Sequence, residues 1–497
     1  MYPHPRFIYI IFILIPQYIV DKNRLAILLF LVLLNILAAF SQPLSIFVDE
    51  GQYLLVSKKM LDGWIPYRDI VENKPLGMYL SLMPAVVLGD GDFVKLRLFG
   101  ALVVSLTSFL IFLIGEGIKD RKTGLLGAVI FILLEAFPPF SGYNLITEPM
   151  ANLFIAGFFY VLISSRLDYS SALPLGVLAA AACSIRQTSV LVFIPFAFAF
   201  LHSSKLERKK ILLLFTAGGL LVGAPMLVYL LLSSALGDAI YWCFLVLIRL
   251  GGSSLEAKLR TLYVFLLFFF PFVFFAFFTL RDASGKIKIV WLWLLSSFVL
   301  IQVGYTHLHN YLFIIPPVSI LAAMGIWSGG SKRSRNAVKK AVLEGARIIM
   351  FLLIVFVLII ELGSINEVQK DRTVYLAQAT MEEEHEVSSF VQSNTNSSEG
   401  IFVFRTDAEV YYLSDRKPVT KMTFFFLDYL AMMGNSEMEE LILHPLEQHK
   451  PRYFVLNAAD FEMFGDTRNY VTVKEYLDSR YEPVKRSGPL EVYERRG

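Results

Sequence analysis

The chain has 497 residues, of which 56% are hydrophobic and 14% aromatic, more apolar surface than a soluble core can hide. Its formal net charge is only +3, and its lysines and arginines fall in loops, which excludes a nucleic-acid-binding class. The two cysteines, Cys183 and Cys243, form neither a Cys-x-x-Cys pair nor a Cys/His metal spacing.

The apolar residues are grouped into runs long enough to cross hydrocarbon. The first, Phe7 to Val20, is short and lacks a small-residue cleavage site, so it reads as an interfacial or extra spanning segment rather than a signal peptide. Eleven spans follow, at Leu25–Phe40, Leu98–Ile114, Leu125–Phe140, Met150–Ile163, Ala172–Ser184, Val190–Leu201, Ile211–Leu232, Leu262–Leu280, Ile289–Gly304, Tyr311–Trp327 and Ala346–Leu362. With these, the basic clusters at Lys22/Arg24, Lys119/Arg121/Lys122, Arg166, Lys205–Lys210, Arg281/Lys286/Lys288 and Lys332–Lys340 share one face. The positive-inside rule makes that face cytoplasmic.

The same parity keeps Pro75 to Leu88 from being a twelfth span, because a crossing there would carry the Lys119 cluster to the opposite face. That segment is expected as a juxtamembrane or re-entrant helix within a long first outer loop, 41–97. Further outer connections are expected at Ser141–Glu148, the Arg186/Gln187 turn, Ser233–Arg260 and Tyr305–Asn310. After about Gly363 the composition becomes soluble in type. There Ile401–Phe404 and Tyr453–Leu456 read as strands, and Met381–Gln392 and Thr423–His444 as helices. The expected architecture is an α-helical polytopic membrane protein with about eleven transmembrane helices, residues 1–365, followed by a small extracytoplasmic α/β domain, residues 366–497.

The outer loops collect the chemistry. Asp49 and Glu50 open the first loop at the membrane interface, where they suit an acceptor-facing base. They suit a helix cap equally well, since Asp is a good N-cap and acidic residues favour a first turn. Arg68 and Lys74 fit a phosphate, one as a bidentate fork and the other as a compact charge; pairing with Asp69 and Glu72, or binding bulk headgroups, would use the same charges.

Glu148 lies at the outer mouth of a helix pair, as a functional group or as an interfacial carboxylate in water. Arg186 joins two short spans in a turn tight enough to imply a protein-lined pocket. His307 and His309 could share a metal only in extended backbone, and no carboxylate lies beside them in sequence. With Asn310 they are expected to hydrogen-bond a sugar or phosphate, or to anchor the interface.

Read in order, Asp49-Glu50-Gly51-x-Tyr53, Gly63-x-x-Pro66-Tyr67-Arg68-Asp69, Asn73-Lys74-Pro75-Leu76, Arg97, Thr147-Glu148-Pro149 and His309-Asn310-Tyr311 resemble the GT-C superfamily glycosyltransferases. Within it they are similar to the protein O-mannosyltransferases and aminoarabinose transferases, the glycosyltransferase family 39 type. The resemblance covers about the first 330 residues. It implies a membrane glycosyltransferase of the cell envelope that moves a hexosyl or pentosyl unit from a polyprenyl-phosphate-linked donor to an acceptor hydroxyl of a protein, lipid or glycan, with inversion.

By the same resemblance Asp49 is the acceptor-activating carboxylate with Glu50 in support, Lys74 falls near the donor phosphate, and Glu148 takes a second acidic position. Tyr53, Tyr67, Arg68, Arg186, His307, His309 and Asn310 are expected to line the substrate site. The acidic residue that in some relatives precedes the lysine and helps hold a metal is absent here, so no metal ligand is assigned and a divalent ion stays an open alternative. A transporter or flippase of a lipid-linked substrate would also have many helices and intramembrane charges; against it, the charges collect at one face and no inverted repeat is visible.

Overall fold

A computed structural model describes residues 22–41, 48–165, 167–281, 284–328, 379–405, 407–424, 429, 432–458 and 468–497. The segments Phe7–Val20 and Ala346–Leu362 and the basic clusters at Arg166 and Lys332–Lys340 lie outside the described residues.

The membrane part is helical: α1 Lys22–Phe40, α2 Val48–Leu61, α3 Leu76–Gly89, α4 Phe93–Ile118, α5 Arg121–Glu135, α6 Thr147–Ser164, α7 Tyr169–Ile185, α8 Ile194–Leu201, α9 Arg208–Leu232, α10 Leu255–Phe277, α11 Gly285–Ile301 and α12 Ile315–Ser328. Among the described residues five helices are long and apolar enough to cross a membrane: α1, α4, α6, α9, and α10 with its short continuation to Arg281. The chain is an integral membrane protein. With 26 residues, α4 is about 39 Å long, more than a hydrocarbon core requires.

Polar side chains fix starts and contacts. Asp92 caps α4 by accepting from the Val94 and Lys95 amides, and Asp120 caps α5 through the Thr123 amide at 2.8 Å. Asn35 of α1 is fully buried. It donates to Ser108 of α4 at 3.2 Å and accepts from the Tyr143 hydroxyl at 2.9 Å, so its own amide is satisfied within the bundle. Helices α7 and α9 cross closely at Gly176 and Gly218, where a methyl group on either would meet the other helix's backbone.

The segment between α1 and α4 carries two helices, α2 and α3. Helix α3 has only 14 residues with Pro84 inside it, and ends at Asp90 in the left-handed conformation. It packs against α2, α4 and α7. The connection expected at Ser233–Arg260 is not a simple loop, because residues 236–250 are helical.

The carboxy-terminal part carries a five-stranded sheet of β1 Gly400–Val403, β2 Lys417–Pro418, β3 Tyr453–Asn457, β4 Tyr481–Ser487 and β5 Leu490–Arg495, in the order β2-β1-β3-β5-β4. The first two pairings are parallel and the last two antiparallel. Helices α13 Met381–Asn394 and α14 Glu409–Ser414 pack against each other, and α13 also covers β4 and β5. Strand β3 is buried along its whole length, as its apolar run Tyr453–Leu456 predicts.

Within the expected helix at Thr423–His444, Tyr429 and Met432 are helical, Met433 and Gly434 interrupt it, and helix runs from Asn435 through 449, while residues 425–428 and 430–431 lie outside the described residues. Thr423 does not join it because it is tied to α2, its hydroxyl donating to Gln52 at 3.0 Å, and nearby the Lys421 carbonyl accepts from the Val71 amide at 2.7 Å. Helix α14 also rests on α2 at Gly51, where an added Cβ would lie 2.8 Å from a Glu409 carboxylate oxygen. The sheet part is thereby packed directly on the charged loop.

Candidate functional site

Loop 62–75 is built to hold one lysine. Tyr67 adopts a left-handed backbone, φ 71°, closing a tight turn in which its amide donates to the Ile70 carbonyl at 2.8 Å. Asp69 closes the same turn by accepting from the Ile65 amide at 2.8 Å. The Lys74 carbonyl then receives three donors, the hydroxyls of Tyr67 at 2.8 Å and Tyr79 at 3.2 Å and the Cys243 thiol at 3.4 Å. Gln187 pins the preceding residue, donating to the Asn73 carbonyl at 3.2 Å and to that of Cys243 at 2.9 Å.

The Lys74 ammonium lies 5.9 Å from the centre of the Tyr53 ring and donates to the Asn73 side-chain carbonyl at 2.8 Å. No ion pair to it is formed among the described residues. Burial lowers its pKa, while the charges of Asp49 and Glu72 raise it. Asp49 accepts a hydrogen bond from the Tyr53 hydroxyl, whose pKa is raised first by burial and then by Asp49 and Glu72. Glu72 is 2% exposed. One of its oxygens accepts from the Asn73 amide at 2.6 Å and the other is unpartnered. Burial pushes its carboxyl up to about 7, against the pull of Lys74.

Arg186 follows α7 and reaches α6, forming an ion pair with Glu148 and donating to the Thr147 hydroxyl at 3.1 Å. Burial lowers its pKa to about 10, with Tyr53 and Asp49 opposing, so it stays a cation at neutral pH. The Nε2 of His309 lies 3.9 Å from the Glu148 carboxylate. Burial, then His307, Arg186 and Lys74, hold His309 well below the usual imidazole range, so it is neutral at pH 7 and contributes hydrogen bonding rather than charge. The His307 and His309 rings stack at 5.3 Å.

Asp49, Tyr53, Lys74, Glu148, Arg186 and His309 are thus neighbours in one electrostatic network, with Tyr67 beneath Lys74. Three of the expected site residues are turned elsewhere. Glu50 is fully buried and held by Arg97 through two 2.8 Å hydrogen bonds and by the Leu145 amide at 2.8 Å. Successive residues on a helix point about 100° apart, so when Asp49 faces the site Glu50 faces the helix bundle. Arg68 is exposed and bound to Asp69 at 2.8 Å. Asn310 is buried, spanning its own turn by donating to the Tyr305 carbonyl at 2.9 Å.

Glu72, Gln52, Gln187 and Cys243 join the site without having been singled out from sequence. Glu72 had a usable signal, an acidic residue two positions before the lysine of the Asn73-Lys74-Pro75 stretch. Among the described residues no group of three or more His, Cys, Asp or Glu side chains is placed to hold a metal.

This fold is shared, over nearly the whole chain, with solved structures at 11 to 13% identity. The solved structures that share it include ArnT from Cupriavidus metallidurans in the apo state, with a TM-score of 0.65 at 13% identity, covering 95% of this chain and 98% of that one. The same protein bound to undecaprenyl phosphate gives 0.63 at 13% identity with the same coverage. The archaeal oligosaccharyltransferase AglB from Archaeoglobus fulgidus, in complex with an inhibitory peptide and a dolichol-phosphate, gives 0.58 at 11% identity, covering 95% of this chain and 74% of that one. No family model and no curated protein matches the sequence.

Proposed function

We propose that this protein is a membrane glycosyltransferase that moves a monosaccharide from a polyprenyl-phosphate-linked donor to an acceptor hydroxyl, with inversion at the anomeric carbon. The observation that carries the reading is Lys74, a half-buried lysine whose backbone is fixed by three donors and whose ammonium faces carboxylates without forming an ion pair among the described residues. A cation held ready in this way suits a phosphate that gains charge as it leaves. Two proteins of the same fold were solved with lipid phosphates, undecaprenyl phosphate and a dolichol-phosphate, which supports the donor class.

In this reading Asp49, only partly buried, removes the acceptor proton. The acceptor oxygen bonds to the anomeric carbon while the bond from that carbon to the phosphate oxygen breaks. The electron pair leaves with the lipid phosphate, whose new charge Lys74 neutralises. Arg186, held by Glu148, adds positive field at the same pocket, and neutral His309 is available to bond a sugar hydroxyl. Glu50 with Arg97 keeps α2 seated so that Asp49 is aimed. The finer architecture belongs to the same proposal: about eleven spans in residues 1–365, a separate α/β domain in 366–497, and both site and domain on the extracytoplasmic face.

The test is transfer by the purified full-length protein in lipid nanodiscs, with polyprenyl-phosphate hexoses and pentoses as donors and release of the lipid phosphate as the readout. Release that depends on acceptor and is lost in Asp49→Asn supports the reading. Turnover near wild type in a folded Asp49→Asn protein removes Asp49 as base, and no release with any donor removes the transferase.

A further inference from the structure

A cavity of about 610 Å³ lies where loop 62–75 meets the edge of the carboxy-terminal sheet, within the size range of small-molecule sites. Trp64 and Asp69 come from the loop, Glu399 and Lys417 flank the β1–β2 edge, and Lys421 and Lys450 complete the wall. The two carboxylates are already engaged, Asp69 by Arg68 and the Ile65 amide, Glu399 by the Asn396 amide and side chain. Arg452 on the rim pairs with Glu494 at 2.8 Å. The ammonium groups of Lys417, Lys421 and Lys450 form no ion pair among the described residues. The uncompensated charge in the cleft is therefore positive, beside a half-buried indole face.

We propose that this cleft binds an anionic saccharide, its acidic groups on Lys417, Lys421 and Lys450 and a sugar face on Trp64. Cations with an aromatic wall fit acidic sugars. It is joined to the reacting groups through the backbone. The Lys421 carbonyl accepts from the Val71 amide at 2.7 Å, and the next residue is Glu72. On the transferase reading of the preceding section, a chain seated here presents an acceptor hydroxyl toward Asp49, and the acceptor is an acidic glycan.

Binding is tested without donor, so its outcome is separable from that of transfer. Full-length protein in nanodiscs is titrated calorimetrically with tetragalacturonate, a sulfated tetrasaccharide, neutral maltotetraose and polyaspartate. At least one acidic saccharide is expected to bind, with affinity falling as salt is raised, while maltotetraose does not. Lys417→Gln with Lys450→Gln, at exposed positions that leave the fold intact, is expected to weaken binding by about tenfold or more, and Trp64→Ala to weaken it further. Binding of neither acidic saccharide, equal affinity for maltotetraose, equal affinity for polyaspartate, or an unchanged double variant overturns the proposal. Saccharide binding with no transfer by the same preparation overturns only the acceptor role.

Discussion

The Arg97 guanidinium grips the Glu50 carboxylate with two 2.8 Å hydrogen bonds, and both side chains are almost completely buried. The pair ties α2, which carries Asp49, to α4 of the bundle. Removing one partner of a buried pair strands the other charge and costs about 3–5 kcal/mol. Glu50→Ala and Arg97→Ala are expected to lower thermal stability and yield sharply. Asp49→Asn, one residue away, should leave the melting curve unchanged while transfer drops about 100-fold or more. Thermal unfolding in detergent alongside a transfer assay checks both halves.

Glu72 gives a stability prediction whose sign follows from its raised pKa. Its carboxyl titrates near 4.5 in an unfolded chain and at about 7 when folded, so the folded protein binds this proton more tightly. Its contribution is favourable at low pH, shrinks as pH rises from 4.5, and is a constant cost above about 7, worth up to roughly 3 kcal/mol. Glu72→Gln should therefore match wild type near pH 4 and be the more stable protein at pH 8. Melting temperatures measured across that range test this, and a wild-type advantage at pH 8 would contradict the buried placement.

How much of this was legible in the sequence depends on distance along the chain. Loop-face parity alone brought Asp49, Lys74, Glu148, Arg186 and His309 to one end of the bundle, because charges flanking spans sort by side. It could not say which of two adjacent acids faces inward. Asp49 and Glu50 look alike as neighbours, and only the position of Arg97, 47 residues on, decides that Glu50 is the structural one. Strands β1 and β3 were visible as apolar runs, whereas the β4–β5 hairpin was hidden by its charged, partly exposed residues. Contacts from the sheet to the loop, such as Thr423 with Gln52 across 371 positions, leave no periodic trace.

Arg186 and Glu148 are expected to behave as a unit. Glu148→Gln keeps the shape of the pair but frees the cation from its partner, while Arg186→Ala leaves a carboxylate 2% exposed without its counter-charge. Glu148→Gln should retain folding and shift KM for the lipid donor more than stability. Arg186→Ala should lose both, and the double variant Arg186→Ala with Glu148→Gln should recover part of the stability but not the activity. A double-mutant cycle on melting temperature and KM measures the coupling.

Thr423 predicts communication between the sheet and the reacting loop. Its hydroxyl donates to the Gln52 side-chain carbonyl at 3.0 Å, and the Gln52 amide donates to the Val71 carbonyl at 3.4 Å, next to Glu72. Val71 in turn donates to Lys421, so a closed ring of hydrogen bonds sets where the Glu72 carboxylate lies. Thr423→Val is nearly isosteric but removes the donor and strands a buried acceptor, a loss of about 1–3 kcal/mol. If Thr423 positions Glu72, its loss should move the pH, near 7, at which the Glu72 cost to thermal stability levels off, and Thr423→Ser should restore it. A pH profile of unchanged shape, lowered throughout, in Thr423→Val would mean that the threonine only stabilises the interface.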